Sequence, residues 1–347
     1  MFYNFRNRFG VLLTVFIAAI SLLASACSSS DSSSSSASSS ETSSSAEKLS
    51  IVVTTNILGD VVANTVGDLF DVETIMSPGA DPHVFQASAQ QVNQIMEADL
   101  LVINGANFEE GLVDVIAAAK SDGVMIFEAI DFVEAIESDG HDDHDDHDEE
   151  GHDDHDDHDE EGHDDHDHGG IDPHFFTDPA RMAHVVEGLT AYLVENFPTI
   201  DQDSLLASSN TYLGELNSLD VEVEQMLSSV PEESRELITN HGVFAYFADR
   251  YDFEVLGSII PTNSTLDNAS AKDINDLVSV IRDENVSAIF ADASSSDTLA
   301  EVLAGEAGDI QVVSLFTESL GDAGTAGSTY IDMIRTNAEL IAGGLSN

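Results

Sequence analysis

Thirteen histidines fall into two unlike sets. Nine of them, His141, His144, His147, His152, His155, His158, His163, His166 and His168, lie in a single tract where HDDHDDHDEEG at 141–151 repeats at 152–162 and partially as HDDHDHGG at 163–170. The tract has no apolar residue to bury, so it is expected to form a solvated loop. Its imidazoles and carboxylates make a dense set of weak, exchangeable ligands for a divalent metal. The other four stand alone. His83 sits in the turn-rich run Pro78-Gly79-Ala80-Asp81-Pro82-His83-Val84-Phe85, His174 in Asp172-Pro173-His174-Phe175-Phe176, and His241 just beyond a strand-like run at 237–240. His184 lies inside a helical pattern, Pro179 to Asn196, and reads as structural. An isolated histidine is more often a packed residue than a ligand. Three at strand-to-helix junctions are nevertheless placed where open α/β sheets present side chains to a crevice.

The elements that must position them follow from periodicity. Apolar runs at Leu49–Thr55, Val72–Met76, Leu100–Asn104 and Val124–Phe127 alternate with helical patterns at Ile57–Val66, Ala87–Ala98 and Glu109–Lys120. The alternation resumes after residue 231, with strands expected at Glu236–Thr239, Glu254–Ile259, Ala288–Phe290 and Val312–Leu315. Such βαβα order predicts an α/β protein of two lobes, each a mainly parallel sheet flanked by helices. Between them Gln202–Ser229 has no proline and repeats Leu, Tyr, Val and Met at helical spacing. As one helix it would run about 40 Å, long enough to join the lobes as a rod or to serve as a core helix of either. The expected organisation is an N-terminal lobe over 49–199 carrying the loop 139–170, a linking helix over 200–230, and a C-terminal lobe over 231–347.

Ahead of the folded part, Arg6 and Arg8 precede the uncharged apolar run Val11–Leu23, and Ala24-Ser25-Ala26-Cys27 follows. This reads as an export signal over 1–26. The apolar run would span only about 20 Å as a helix, short of a bilayer's hydrocarbon core. Cys27 is the only cysteine, so an intramolecular disulfide and a cysteine-based zinc site are both excluded. Its position resembles the bacterial lipobox, which implies a lipidated first residue of the mature chain and an extracytoplasmic location on the cell membrane. The Ser-rich stretch to Glu47 then reads as a tether reaching about 25 Å. The net charge is −56, and without the 18 Asp and Glu of residues 139–168 it is still −38. So acidic a chain disfavours nucleic acid and anionic lipid as partners and favours a cationic ligand.

From about Leu49 to its end the sequence resembles the metal-binding lipoprotein receptors of bacterial ABC importers, the zinc and manganese group represented by ZnuA-like proteins. The resemblance rests on Asp81-Pro82-His83-Val84-Phe85, Asn104-Gly105, Asp172-Pro173-His174, the run from Asn240-His241-Gly242 to Phe247, and Phe316-Thr317-Glu318-Ser319-Leu320-Gly321. It implies a receptor that delivers its ion to a permease and its ATPase, with metal held between the lobes by His83, His174 and His241 and the site completed by Glu318, or in its place by water or another carboxylate; the chain is expected to be a monomer. Glu318 stands where Asp is more usual in the family, and Asp292 stands where many members carry a Glu near the cleft. Three imidazoles and one carboxylate suit tetrahedral Zn²⁺, whereas Mn²⁺, the alternative cargo, prefers more oxygen. The manganese members carry a carboxylate where His241 stands.

An enzyme is the main competing class. A zinc hydrolase needs a general base beside its metal-bound water. Neither a His-Glu-x-x-His pair nor a Gly-x-Ser-x-Gly turn occurs in the chain, and the expectation is a binding protein without catalytic activity. An adhesin or extracellular metal buffer using the same site is the remaining alternative.

Overall fold

The computed structural model of the chain describes residues 48–138, 170–308 and 310–346. The expected signal, Cys27, most of the tether and the nine tract histidines lie outside them. Among the described residues no helix is long and apolar enough to cross a membrane.

The first lobe is built on β1 (Ser50–Val53), β2 (Asp71–Thr74), β3 (Leu100–Ile103) and β4 (Ile126–Glu128), all parallel, in the order β2-β1-β3-β4. The second repeats the plan with β5 (Glu236–Thr239), β6 (Glu254–Ser258), β7 (Ala288–Asp292) and β8 (Gln311–Leu315), in the order β6-β5-β7-β8. In each sheet the chain first winds to one side and then crosses to the other. The side chains just past the strands' carboxyl ends therefore face a crevice. Burial follows position: β3, in the middle, reads Leu-Leu-Val-Ile and is buried throughout, while the edge strand β2 reads Asp-Val-Glu-Thr and is largely exposed.

The helices start and stop on local signals. Helix α1 (Asn56–Val66) is capped by Thr55, whose hydroxyl accepts from the Leu58 amide at 3.3 Å. Helix α2 (Ala89–Glu97) opens on a capping box formed by Ser88 and Gln91, two residues later than the pattern from Ala87 suggests. Helix α3 (Val113–Ser121) is preceded by a 3₁₀ turn at Glu110–Leu112, so the helical pattern from Glu109 is only partly realised. That turn passes close to a neighbouring loop: a Cβ on Gly111 would lie 2.0 Å from the Phe85 carbonyl oxygen, so only glycine fits there. Helix α4 (Pro179–Asn196) has Pro at its first position and Asp178 accepting from the Ala180 and Arg181 amides.

Helix α5 (Gln202–Leu227) buries one stripe, Leu205, Ser209, Tyr212, Leu216, Leu219, Val223 and Leu227, spaced by three or four residues. It packs on α1, α4 and the last helix, α9 (Tyr330–Leu345). Between β5 and β8 run α6 (Ala245–Tyr251), α7 (Ala271–Glu284) and α8 (Thr298–Ala307). One unbroken apolar cluster includes Ile51, Val53 and Leu100 of the first sheet, the α5 stripe, and Leu237, Phe290 and Leu315 of the second. Both lobes share that interior.

Candidate metal centre

Each of the four expected ligands sits in a loop past a strand's carboxyl end. His83 follows β2; its amide donates to Asp81 Oδ1 at 2.9 Å, and Asp81 Oδ2 accepts from Thr265 Oγ1 of the second lobe at 2.7 Å. His174 follows β4 and repeats the same local turn, its amide donating to Asp172 Oδ1 at 2.8 Å. That loop is fixed from both lobes: Asn104 Nδ2 donates to the Pro173 carbonyl at 2.9 Å, and Tyr246 Oη donates to the Asp172 carbonyl at 2.6 Å. Asn104 is itself held by the fully buried Glu109, which accepts from its amide at 2.7 Å and from Thr54 Oγ1 at 2.5 Å. His241 lies two residues past β5, where Thr239 Oγ1 donates to its carbonyl at 2.8 Å.

Glu318 follows β8. Asn337 of α9 brackets Phe316 through both its amide and its carbonyl. Beyond Glu318, Asn56 of the first lobe donates to Ser319 Oγ at 2.8 Å and accepts from the Leu320 amide at 2.7 Å. The loop carrying the carboxylate is thus fastened to the opposite lobe.

These loops bring His83, His174, His241 and Glu318 together, all buried, with one ligand atom of each within 4.8 Å of the others. Three ring nitrogens converge on one carboxylate oxygen: Glu318 Oε1 lies 2.7 Å from His83 Nε2, 3.0 Å from His241 Nε2 and 3.2 Å from His174 Nε2. His241 is close but not aligned for a hydrogen bond, and neither its Nδ1 nor its Nε2 has a hydrogen-bond partner; Glu318 Oε2 is also unpartnered. The far nitrogens of the other two rings meet carboxylates, His83 Nδ1 with Glu110 Oε1 at 2.9 Å and His174 Nδ1 with Asp172 Oδ1 at 2.8 Å. In a neutral ring such a partner takes the Nδ1 proton, so each Nε2 presents a lone pair. Lone pairs crowded against a carboxylate repel one another unless positive charge enters, as protons or as a metal ion.

The proton affinities express the same crowding. Burial by itself pushes the His174 imidazole down, but Asp172 and then Glu318 outweigh it and lift it to about 9. His83 is also lifted, burial being overcome mainly by Glu318. Burial pushes Glu318 up, yet the histidines around it, His241 first, hold it well below the usual carboxylate range. Asp292 is buried nearby and shifted upward, by burial first; its carboxylate is occupied by Ser294, whose amide and hydroxyl donate at 2.9 and 2.6 Å. His184 is exposed on α4, 3.4 Å from Glu187, far in character from this cluster.

Glu110, Asn56 and Ser319 were not singled out by the sequence as site residues. Glu110 reads there as an ordinary acidic residue near a helix start, and nothing in the pattern joins it to a histidine 27 positions away.

Residues 51–344 match the family model described as zinc-uptake complex component A, periplasmic. Among characterised relatives, the manganese-binding lipoprotein MntA of Halalkalibacterium halodurans is 25% identical over 301 residues, covering 86% of this chain and 89% of that protein. The zinc-binding protein TroA of Treponema pallidum is 26% identical over 301 residues, covering 85% and 88%. The solved structure of the periplasmic zinc-binding protein TroA from Treponema pallidum superposes with a TM-score of 0.73 at 25% identity, covering 86% of this chain and all of that one. With the family model matched along both lobes, the chain belongs to the family of the zinc-uptake complex component A.

Proposed function

We propose that the protein is the receptor of a metal ABC importer, that Zn²⁺ is its cargo, and that His83, His174, His241 and Glu318 bind it. The observation that carries this reading is the convergence of three buried Nε2 atoms on one carboxylate, two of them oriented by carboxylates on Nδ1. Neutral nitrogen donors in that number suit zinc, and carboxylate partners on the far nitrogens raise ligand basicity. Equilibrium titration against a competing chelator, with metal analysis of the protein as isolated, tests it. A tight site that prefers manganese over zinc would overturn the choice of cargo.

Manganese has one observation in its favour. Glu318 Oε2 is buried and unpartnered, so the carboxylate could bind through both oxygens and make the site richer in oxygen. Some relatives carry manganese in their names. The delivery step implies a permease and its ATPase as partners, and the chain working as a monomer.

Asp172→Asn keeps an acceptor near His174 but removes the charge. Zinc affinity is expected to fall roughly 10–100-fold, the range typical of groups that orient a ligand from behind. The His174 imidazole should also titrate at lower pH in the metal-free variant, because the Asp172 charge is the first cause that lifts it. Chelator competition and NMR titration read the two effects, and an unchanged affinity would show that Asp172 serves only the loop.

Anchoring rests on Cys27. Cys27→Ser should release the protein from the membrane fraction, since each buried acyl CH₂ contributes about 0.8 kcal/mol and the described helices offer no other membrane segment. A variant that stays membrane-bound in fractionation would mean an uncleaved signal or a retaining partner.

A further inference from the structure

All four proposed ligands are at most 2% exposed, so an ion cannot reach them without some part of the protein moving. One surface cavity of about 480 Å³ comes up against them, lined among others by His83, Asn107, Glu110 and Val113 of the first lobe and Asn263 and Ser264 of the second. Of the four ligands, His83 alone lines it. The backbone of His83 is pinned, through Asp81, to Thr265 across the cleft. Its ring is held differently. Nε2 faces Glu318, while Nδ1 rests on Glu110, whose side chain is 31% exposed and also lines the cavity.

We propose that this cavity is the route by which the divalent cation enters and leaves, with the His83 ring as the moving part and Glu110 as the latch that holds the ring inward. This rests on the ligand assignment above. A hydrated cation arriving in the cavity meets the Glu110 carboxylate first. When the His83–Glu110 bond opens, the ring turns towards the cavity and exchanges the ion, while His174, His241 and Glu318 stay in place. Side-chain rotation needs no separation of lobes that share one apolar interior.

A route differs from a ligand in what it does to kinetics. Obstructing it raises the barrier equally in both directions and leaves the equilibrium unchanged. Val113→Trp and Ser264→Trp narrow the cavity from opposite lobes without touching a ligand. Because the chain has no tryptophan, each also places a single indole at the mouth. With substoichiometric Zn²⁺ in stopped-flow, and release followed with a fluorescent chelator, each variant should capture and release zinc on the order of tenfold more slowly than the wild type, as for one added unit of log barrier. The dissociation constant should not move. Glu110→Ala should release zinc faster by about tenfold or more, and adding either tryptophan to it should slow release again.

Wild-type rates in both tryptophan variants, each shown folded by its melting curve, would overturn the route and leave lobe separation as the way in. A tryptophan variant slowed in one direction only would overturn it as well. If the wild-type protein binds no zinc tightly at equilibrium, the ligand assignment has failed; tight binding with rates indifferent to both tryptophans fails the route alone.

Discussion

His241→Ala is expected to abolish tight zinc binding while the metal-free protein still folds. Its ring nitrogens have no hydrogen-bond partner although the ring is fully buried. Burying such a group carries a cost, offset here by the Glu318 carboxylate 3.0 Å from Nε2. Removing the ring breaks no aligned hydrogen bond but takes from Glu318 the first of the histidines that hold its carboxyl down, whereas losing the His174 ring would also take a hydrogen bond from Asp172. Zinc held by four protein ligands is worth about 10–16 kcal/mol, or roughly 3 kcal/mol for each, which corresponds to a loss on the order of 100- to 1,000-fold in affinity. Two controls belong in the same titration. His184→Ala, on the exposed face of α4, should bind as the wild type does. Deleting residues 139–168 should remove weak additional binding and spare the tight site. A tight site that survives His241→Ala would remove that residue from the ligand set.

The second large effect is in pH. Metal-free His174 is lifted to about 9 and His83 is lifted as well. A group whose pKa is raised on folding stabilises the fold fully below its unfolded value, near 6.5 for histidine, and that contribution is lost as pH rises through the folded value. The metal-free melting temperature should therefore decline between about pH 6.5 and 9. Zinc needs the same rings deprotonated, so its affinity should climb across this window by up to about tenfold per pH unit for each proton displaced. The rise in melting temperature on adding zinc thus widens steadily from pH 6 to pH 9. Glu318 works in the opposite sense. Its pKa is depressed, so its contribution is present above about 4.5 and is lost only as pH falls through the folded value; it adds no slope in the zinc window. Calorimetric scans with zinc and with chelator across this range read both curves. A zinc-induced shift that stays constant with pH would exclude histidine ligation and favour an oxygen-rich site.

Unperturbed histidines would place this window around 6.5. It lies higher because Asp172 and Glu318 sit against opposite nitrogens of one buried ring. Contacts of this kind mark where sequence reading stops. The alternation of buried runs with helical patterns was enough for two doubly wound sheets, since each strand's burial depends on its own residues. Strand and helix ends were less legible: α3 begins after a 3₁₀ turn in which Gly111 approaches a carbonyl 26 positions back in the chain, a contact with no local pattern. The three isolated histidines stood out by their junctions between strand and helix. Glu318 was reachable only through the family resemblance, since an acidic residue after a strand has no distinctive local pattern in so acidic a chain. Asn56, whose bonds to Ser319 and Leu320 cross 263 and 264 positions, left no local trace.

The apolar interior that runs from Ile51 through the α5 stripe to Leu315 bears on how such a receptor can be rearranged. A gene encoding either half alone would leave its share of that interior facing water, because α5 packs against α1, α4 and α9, and α9 in turn packs against β7 and β8. Exchanging a half between relatives would succeed only where both helices, and the side chains they meet, are exchanged together. Such an interior ties the two halves into a single folding unit.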